Sequence, residues 1–458
     1  MKRAGLMVGI LSLTLAGPAA AWEPSTTHAG LAEQAALKSR LHKRLITLGF
    51  GGGLFEALTI PPADAPALTS ALKLLSPTHG SVPDSRGRQS ALAWIAAGAS
   101  LADVPAAHGA NHFFDPRSGK GWSLPDRSIA NGLSDKVRGA LGRASLPSRG
   151  VPAPQWVTDK KNPFNLDNFL SQYAKAAAAS TPGERSRHMA AALIAAGAIM
   201  HTLGDLGSPS RVRNDSAAHF DPLGAGPDDL GSRFERIAAL AYGRLGVPVP
   251  SRTITRPRLV DYFSSKEGAG LADVIERSYF SVNTLPDASR VSTESKPTLS
   301  RPLPAPPSKL NVMAANRDEG TTMRNPAGTC LARYRVQDDV LRFSLDDECM
   351  LDQLSVILPE VAAYETGLLD FLLRGELTLQ AGNAITITGK DLGTGTIEVL
   401  AEDERGVRTK LASIEASGKN QVLGTVSTPS AAVRVVAVFR GTDAVGEPLV
   451  AVGSVSLR

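Results

Sequence analysis

His201 and Asp205 stand four residues apart near the end of an apolar stretch, so on a helix both side chains project from one face. An imidazole and a carboxylate at that spacing can share a metal ion. Two further donors precede them: Asp103, which ends Gly98-Ala99-Ser100-Leu101-Ala102-Asp103, and His112, which opens His112-Phe113-Phe114-Asp115-Pro116. Two carboxylates and two imidazoles suit zinc and can leave positions for water, as a catalytic site requires. A helical His-Asp pair by itself is most often a surface pair; the weight rests on all four residues together.

The amino terminus offers a second ligand set. Lys2 and Arg3, the apolar stretch from Gly5 to Gly17, and Ala19-Ala20-Ala21 form a signal peptide over residues 1–21 with cleavage before Trp22. The apolar stretch is too short to span a membrane. Cleavage would free the Trp22 amine, which with its own carbonyl oxygen can close a five-membered chelate, and His28 can add a third ligand. A secreted or periplasmic protein is expected. No cysteine sits at the cleavage point, so a lipoprotein anchor is not.

Elements able to position these residues follow from the apolar periodicity. The clearest helix runs from Pro182 to Leu206, opened by the capping box Thr181-Pro182-Gly183-Glu184 and ended by Gly207 and Pro209. Helical spacing also covers Gly30 to Ile46, Gln89 to Ala102, Leu166 to Ala179, Asp229 to Leu245 and Leu351 to Arg374. These predict a mainly α protein: a helical bundle with long loops over residues 22–376, containing a Pro- and Ser-rich loop at 283–328. From Glu376 the period changes to two, through Ile385-Thr386-Ile387-Thr388, Thr396-Ile397-Glu398-Val399, Val433 to Val438 and Val452 to Leu457. Residues 377–458 therefore read as a small Ig-like β-sandwich.

Composition narrows the function classes. The formal charge is +5, and +3 once Lys2 and Arg3 are removed, a mild excess that suits anionic phosphates or lipid surfaces. No basic tract forms a nucleic-acid patch, and aromatic residues make up only 5% of the chain, so base-stacking platforms are scarce. Gly49-Phe50-Gly51-Gly52-Gly53 lacks the spacing and lysine of a phosphate loop. Cys330 and Cys349 are the only cysteines; in an oxidising compartment they form one disulfide, and a Cys-based zinc site is excluded.

In order along the chain, Trp22, His28, Asp103, His112, His201 and Asp205 resemble the ligand set of the zinc-dependent phospholipase C family, which related single-strand nucleases share. Asn111-His112-Phe113-Phe114-Asp115-Pro116 and His201-Thr202-Leu203-Gly204-Asp205 are similar to the phospholipase branch. The resemblance spans about residues 22 to 376. It implies one zinc held by Asp103, His112, His201 and Asp205, and a second held by Trp22, His28 and a bridging Asp205. It further implies that the two share a hydroxide that attacks phosphorus, with Asp103 steering or accepting the proton. Family relatives append membrane-docking β domains, which implies a phospholipid or membrane surface as partner; no obligate protein partner is evident.

The chain departs from this pattern at a third zinc. Arg211 stands where the family has one histidine and Gly231 where it has another, leaving Glu235. Either His219 and Asp215 rebuild that site with Glu235, or Arg211 replaces the metal's charge and binds phosphate oxygens itself; the second is favoured. Two zincs are expected, with the third open. The leading reading is a secreted zinc phosphodiesterase of phospholipase C type. A zinc-dependent single-strand nuclease, acting on nucleic acid, is the alternative, and a weakened zinc-holding binding protein is a third reading. His42, His79, His108 and His188 read as surface or packing residues, and Glu402-Asp403-Glu404 as a solvated turn.

Overall fold

The structure, a computed structural model, describes residues 24–75, 82–123, 149–220, 232–244, 246–291, 310, 315, 320–417, 422–427 and 430–457. The signal segment, Trp22, His79, Gly231 and most of the Pro-rich stretch lie outside them.

The longer helices are α1 (Ala29–Lys38), α2 (Leu41–Leu48), α3 (Pro66–Leu75), α4 (Ala91–Leu101), α5 (Leu166–Ala178), α6 (Pro182–Gly204), α7 (Arg233–Tyr242), α8 (Leu271–Ser278) and α9 (Asp347–Leu372). Ser39 splits the single helix expected over Gly30 to Ile46: its backbone turns extended, and its hydroxyl accepts the Leu41 N–H to start α2. The expected capping box opens α6, with Thr181 and Glu184 each satisfying the other's backbone N–H. By length and composition α6 could cross a membrane, yet 94% of its apolar window is buried inside the protein. It is apolar all round because helices and loops surround it.

α4 and α6 touch backbone to backbone. A Cβ on Gly98 would lie 2.1 Å from the Ile194 carbonyl oxygen, and one on Gly197 would lie 2.0 Å from that of Ile95. Only glycine permits this approach, and it brings the ends of the two helices, with Asp103 and His201, to one place. α9 packs against α1 and α6 and closes the bundle.

The bundle is less purely helical than the periodicity suggested. Strands β1 (Ala57–Thr59) and β2 (Arg88–Ser90) pair antiparallel, and β3 (Ser289–Arg290), β4 (Thr321–Arg324), β5 (Cys330–Gln337) and β6 (Val340–Ser344) form a sheet in the order β3-β6-β5-β4. The segment 283–328 is thus not all loop: its ends are strands. The β5–β6 hairpin turns through Asp338 and Asp339, both in left-handed backbone as a two-residue turn demands. The Cys330–Cys349 disulfide joins the start of β5 to the first turn of α9.

Beyond α9, strands β7 (Glu376–Gln380), β8 (Ala384–Lys390), β9 (Gly395–Glu402), β10 (Arg408–Ala416), β11 (Val422–Ser427), β12 (Arg434–Thr442) and β13 (Pro448–Ser456) form two sheets, β10-β9-β12-β13 and β11-β8-β7. They enclose a core that includes Ile385, Ile387, Ile397, Val399, Val435, Ala437 and Phe439. The fourth strand of the domain pairs with the third, unlike a constant-type immunoglobulin domain, where it joins the sheet of the first two.

The four-stranded sheet is apolar on both faces. Val436, Val438, Val450 and Val452 point away from the sandwich core and join the core of the helical domain, which is why β12 reads as a continuous apolar run. Arg408 is buried at this junction and donates to Glu402 at 2.7 Å and to the Leu48 carbonyl at 2.6 Å. Glu402 is therefore paired and buried, not part of a solvated turn.

Candidate metal centre

Asp103, His112, His201 and Asp205 converge, and one ligand atom from each lies within 4.8 Å of all the others. Their convergence follows from the glycine-mediated contact of α4 and α6. Asp103 follows the end of α4, His201 occupies the last turn of α6, and Asp205 begins the 3-10 turn Asp205–Gly207. His112 closes the 3-10 segment Ala106–Asn111. All four are at most 1% exposed.

The pattern of hydrogen bonds shows what the cluster lacks. His201 Nδ1 donates to the Ala99 carbonyl at 2.7 Å, so its Nε2 is the atom left for the site. That atom lies 3.2 Å from Asp205 Oδ2 and 3.4 Å from Asp103 Oδ2. A neutral imidazole would aim a lone pair at two carboxylates, so a positive charge must stand among them: a proton or a metal ion. Without a metal the proton takes that role. Burial alone lowers the His201 imidazole, but Asp205 and Asp103 outweigh it and push it up to about 10.

His112 Nδ1 approaches both carboxylates, at 2.8 Å from Asp205 and 3.1 Å from Asp103. Both oxygens of Asp103 and the Nε2 atoms of His112 and His201 are buried without a hydrogen-bond partner. Burial works against the Asp103 and Asp205 charges, yet the histidines hold Asp103 below the usual carboxylate range, and Arg211 and His201 do so for Asp205. A divalent ion fits this donor set.

His28 joins the cluster from the turn that leads into α1. Its Nε2 lies 2.9 Å from Asp205 Oδ1, and its ring stacks on His201 with centroids 3.6 Å apart. Burial and His201 push it down to about 4, which leaves a neutral imidazole fit to ligate. His108 borders the site, with its ring edge-on to Trp156. His188 bonds Gln172 on another face, and His42 accepts from the Leu54 N–H.

Arg211 lies between Asp205 and Glu235. It is 3% exposed; Nη1 is 3.2 Å from Asp205 Oδ2 and Nε donates to Glu235 Oε1 at 3.0 Å. Its guanidinium also lies over the Phe113 ring. The other Glu235 oxygen accepts the Ser232 N–H in the capping box of α7, at 3.0 Å. His219 stands 3.7 Å from Glu235 and bonds Ser210, while Asp215 is bound to Asn283 and the Ala218 N–H. Among the described residues Glu235, His219 and Asp215 do not converge as a metal site; the cation between Asp205 and Glu235 is the guanidinium.

Sequence reasoning missed Glu365. This residue of α9 is 1% exposed, borders the same space at Gly204 as His28, and burial pushes its carboxyl well above the usual range. Its one sequence signal was a single acid in the apolar run from Val361 to Leu369.

No family model matches the chain, and no curated protein matches it. Two solved structures are similar: the alpha toxin of Clostridium absonum, with a TM-score of 0.30 at 12% identity over 95% of this chain and 96% of that one; and the alpha-toxin of an avian strain of Clostridium perfringens, with a TM-score of 0.27 at 12% identity over 95% and 99%. At such scores the likeness carries neither fold nor function by itself. The helical domain, the separate β domain and the buried four-donor cluster rest on this chain's own geometry.

Proposed function

We propose that the protein is a secreted or periplasmic zinc phosphodiesterase that hydrolyses phospholipids as a phospholipase C. The observation that carries this reading is the buried meeting of Asp103, His112, His201 and Asp205, with the bare Nε2 of His201 facing two carboxylates. The sequence resemblance supplies the reaction class. Asp103, His112, His201 and Asp205 would hold one zinc; His28 and the shared Asp205 would hold the second, with the Trp22 amine and carbonyl. Zinc there supplies Lewis acidity toward a phosphoryl oxygen and lowers the pKa of a water it holds.

The chain's own groups do the rest. Asp103, with both oxygens free of hydrogen bonds, is placed to orient the attacking water and take its proton. The Ala99 carbonyl fixes the His201 tautomer. Arg211 keeps a positive charge where the family pattern has a third zinc, and its Nη2, which has no hydrogen-bond partner among the described residues, can meet a phosphate oxygen. The outer face of the β11-β8-β7 sheet carries Thr378, Gln380, Thr386 and Thr388 beside the exposed Val422, so it offers a mainly polar surface for headgroup contacts.

The test measures zinc per molecule in protein beginning at Trp22, then diacylglycerol release from phosphatidylcholine vesicles. Two zincs, and turnover abolished by His201→Ala, are expected. Protein retaining residues before Trp22 should bind less zinc, because its terminal amine is tied up in an amide. Absence of zinc would refute the reading, and faster release of nucleotides from single-stranded DNA would make the protein a nuclease.

A further inference from the structure

Glu365 and His28 have complementary defects. Glu365 is buried on α9 with Oε2 lacking any hydrogen-bond partner. His28 turns Nε2 toward Asp205, while its Nδ1 is buried and equally without a partner. The two side chains meet over Gly204, where a Cβ would lie 2.4 Å from Glu365 Oε1 and 3.5 Å from His28 Nδ1. The missing side chain at position 204 leaves open the space between the Glu365 carboxyl and the rear of the His28 ring.

An imidazole that ligates through Nε2 carries its proton on Nδ1, and a buried Nδ1–H needs an acceptor. His201 has the same need in mirror image and meets it with the Ala99 carbonyl. For His28 the nearby unsatisfied acceptor is Glu365. We propose that Glu365 accepts the Nδ1–H of His28, directly or through one water, and thereby fixes His28 as an Nε2 ligand of the second metal position. Glu365 touches no substrate in this scheme; it is a positioning residue. The inference rests on the two-metal reading above.

Metal content and dissociation rates decide it. Protein beginning at Trp22 is loaded with zinc, dialysed, analysed by mass spectrometry for zinc per molecule, and challenged with a chelator that reports release. Wild type should hold two zincs. Glu365→Gln, whose amide oxygen still accepts a hydrogen bond, should hold two and release one of them roughly 10-fold faster. Glu365→Leu should hold one, retained at the wild-type rate by the four-donor cluster. Gly204→Ala, which displaces Glu365, should behave like Glu365→Leu. Two zincs released at wild-type rates in both Glu365 variants would overturn the proposal while leaving the two-metal reading intact. No zinc in the wild type would overturn that reading itself. If Glu365→Leu does not fold, the release rate of Glu365→Gln decides.

Discussion

Replacing Arg211 by Met removes a charge while keeping most of the side-chain volume. Asp205 and Glu235, its two partners, are 0% and 1% exposed, so neither can regain water when the guanidinium goes. Breaking a buried ion pair by removing one partner costs about 3–5 kcal/mol. Here the loss falls on Glu235, left with the Ser232 N–H and the more distant His219, because Asp205 keeps His28, His112 and His201 beside it. At about 2 °C per kcal/mol for a domain this large, metal-free protein should melt about 6–10 °C lower in scanning calorimetry. High salt should not restore it, since buried pairs are screened little. Arg211→His should behave differently. It adds an imidazole as a third donor beside Glu235 and His219, so added zinc should raise the melting temperature and bring one more metal ion per molecule, while Arg211→Met gains neither. A melting temperature for Arg211→Met within about 1 °C of wild type would refute the assignment of Arg211 as a structural cation.

Two other outcomes follow from separate parts of the fold. Gly197→Ala should force α4 and α6 apart, costing about 1–3 kcal/mol, and should weaken zinc retention against a chelator because His201 moves relative to Asp103; unchanged retention would mean that the helix contact does not set the cluster. Asp370, which accepts the Arg40 N–H, has its carboxyl raised by burial. A raised carboxyl binds its proton more readily folded than unfolded, so the ionised form costs stability above the folded pKa, and that cost vanishes as pH falls toward the unfolded value of about 3.9. Asp370→Asn should therefore melt higher than wild type at pH 7 and equally at pH 3.5; the same gain at both would exclude ionisation as its cause.

The local signals were the legible ones. Thr181, Pro182 and Glu184 announce the start of α6 because capping chemistry is decided within four residues. The four donors that cluster, Asp103, His112, His201 and Asp205, were legible by type and spacing, and alternation revealed the sandwich strands. Distance in sequence hid the rest. Ser39 ends α1 through a hydroxyl contact that helical periodicity does not encode. The β5–β6 hairpin was signalled only by Asp338-Asp339, a weaker turn pair than one with glycine. Whether Arg211 faces solvent or bridges Asp205 and Glu235 is settled by packing between α7 and the turn after α6. Glu365 and His28, more than three hundred residues apart in sequence, both border the space left by the missing side chain at position 204.

Near the start of α6, Arg185 donates to the Gly406 carbonyl of the sandwich at 2.6 Å; near its end, His201 enters the four-donor cluster. Between them lies about 24 Å of continuous helix. A flexible tether would leave the cluster free to turn relative to the β domain. A stiff rod does something else: it transmits aim, so gripping the sandwich also sets the direction in which the cluster faces.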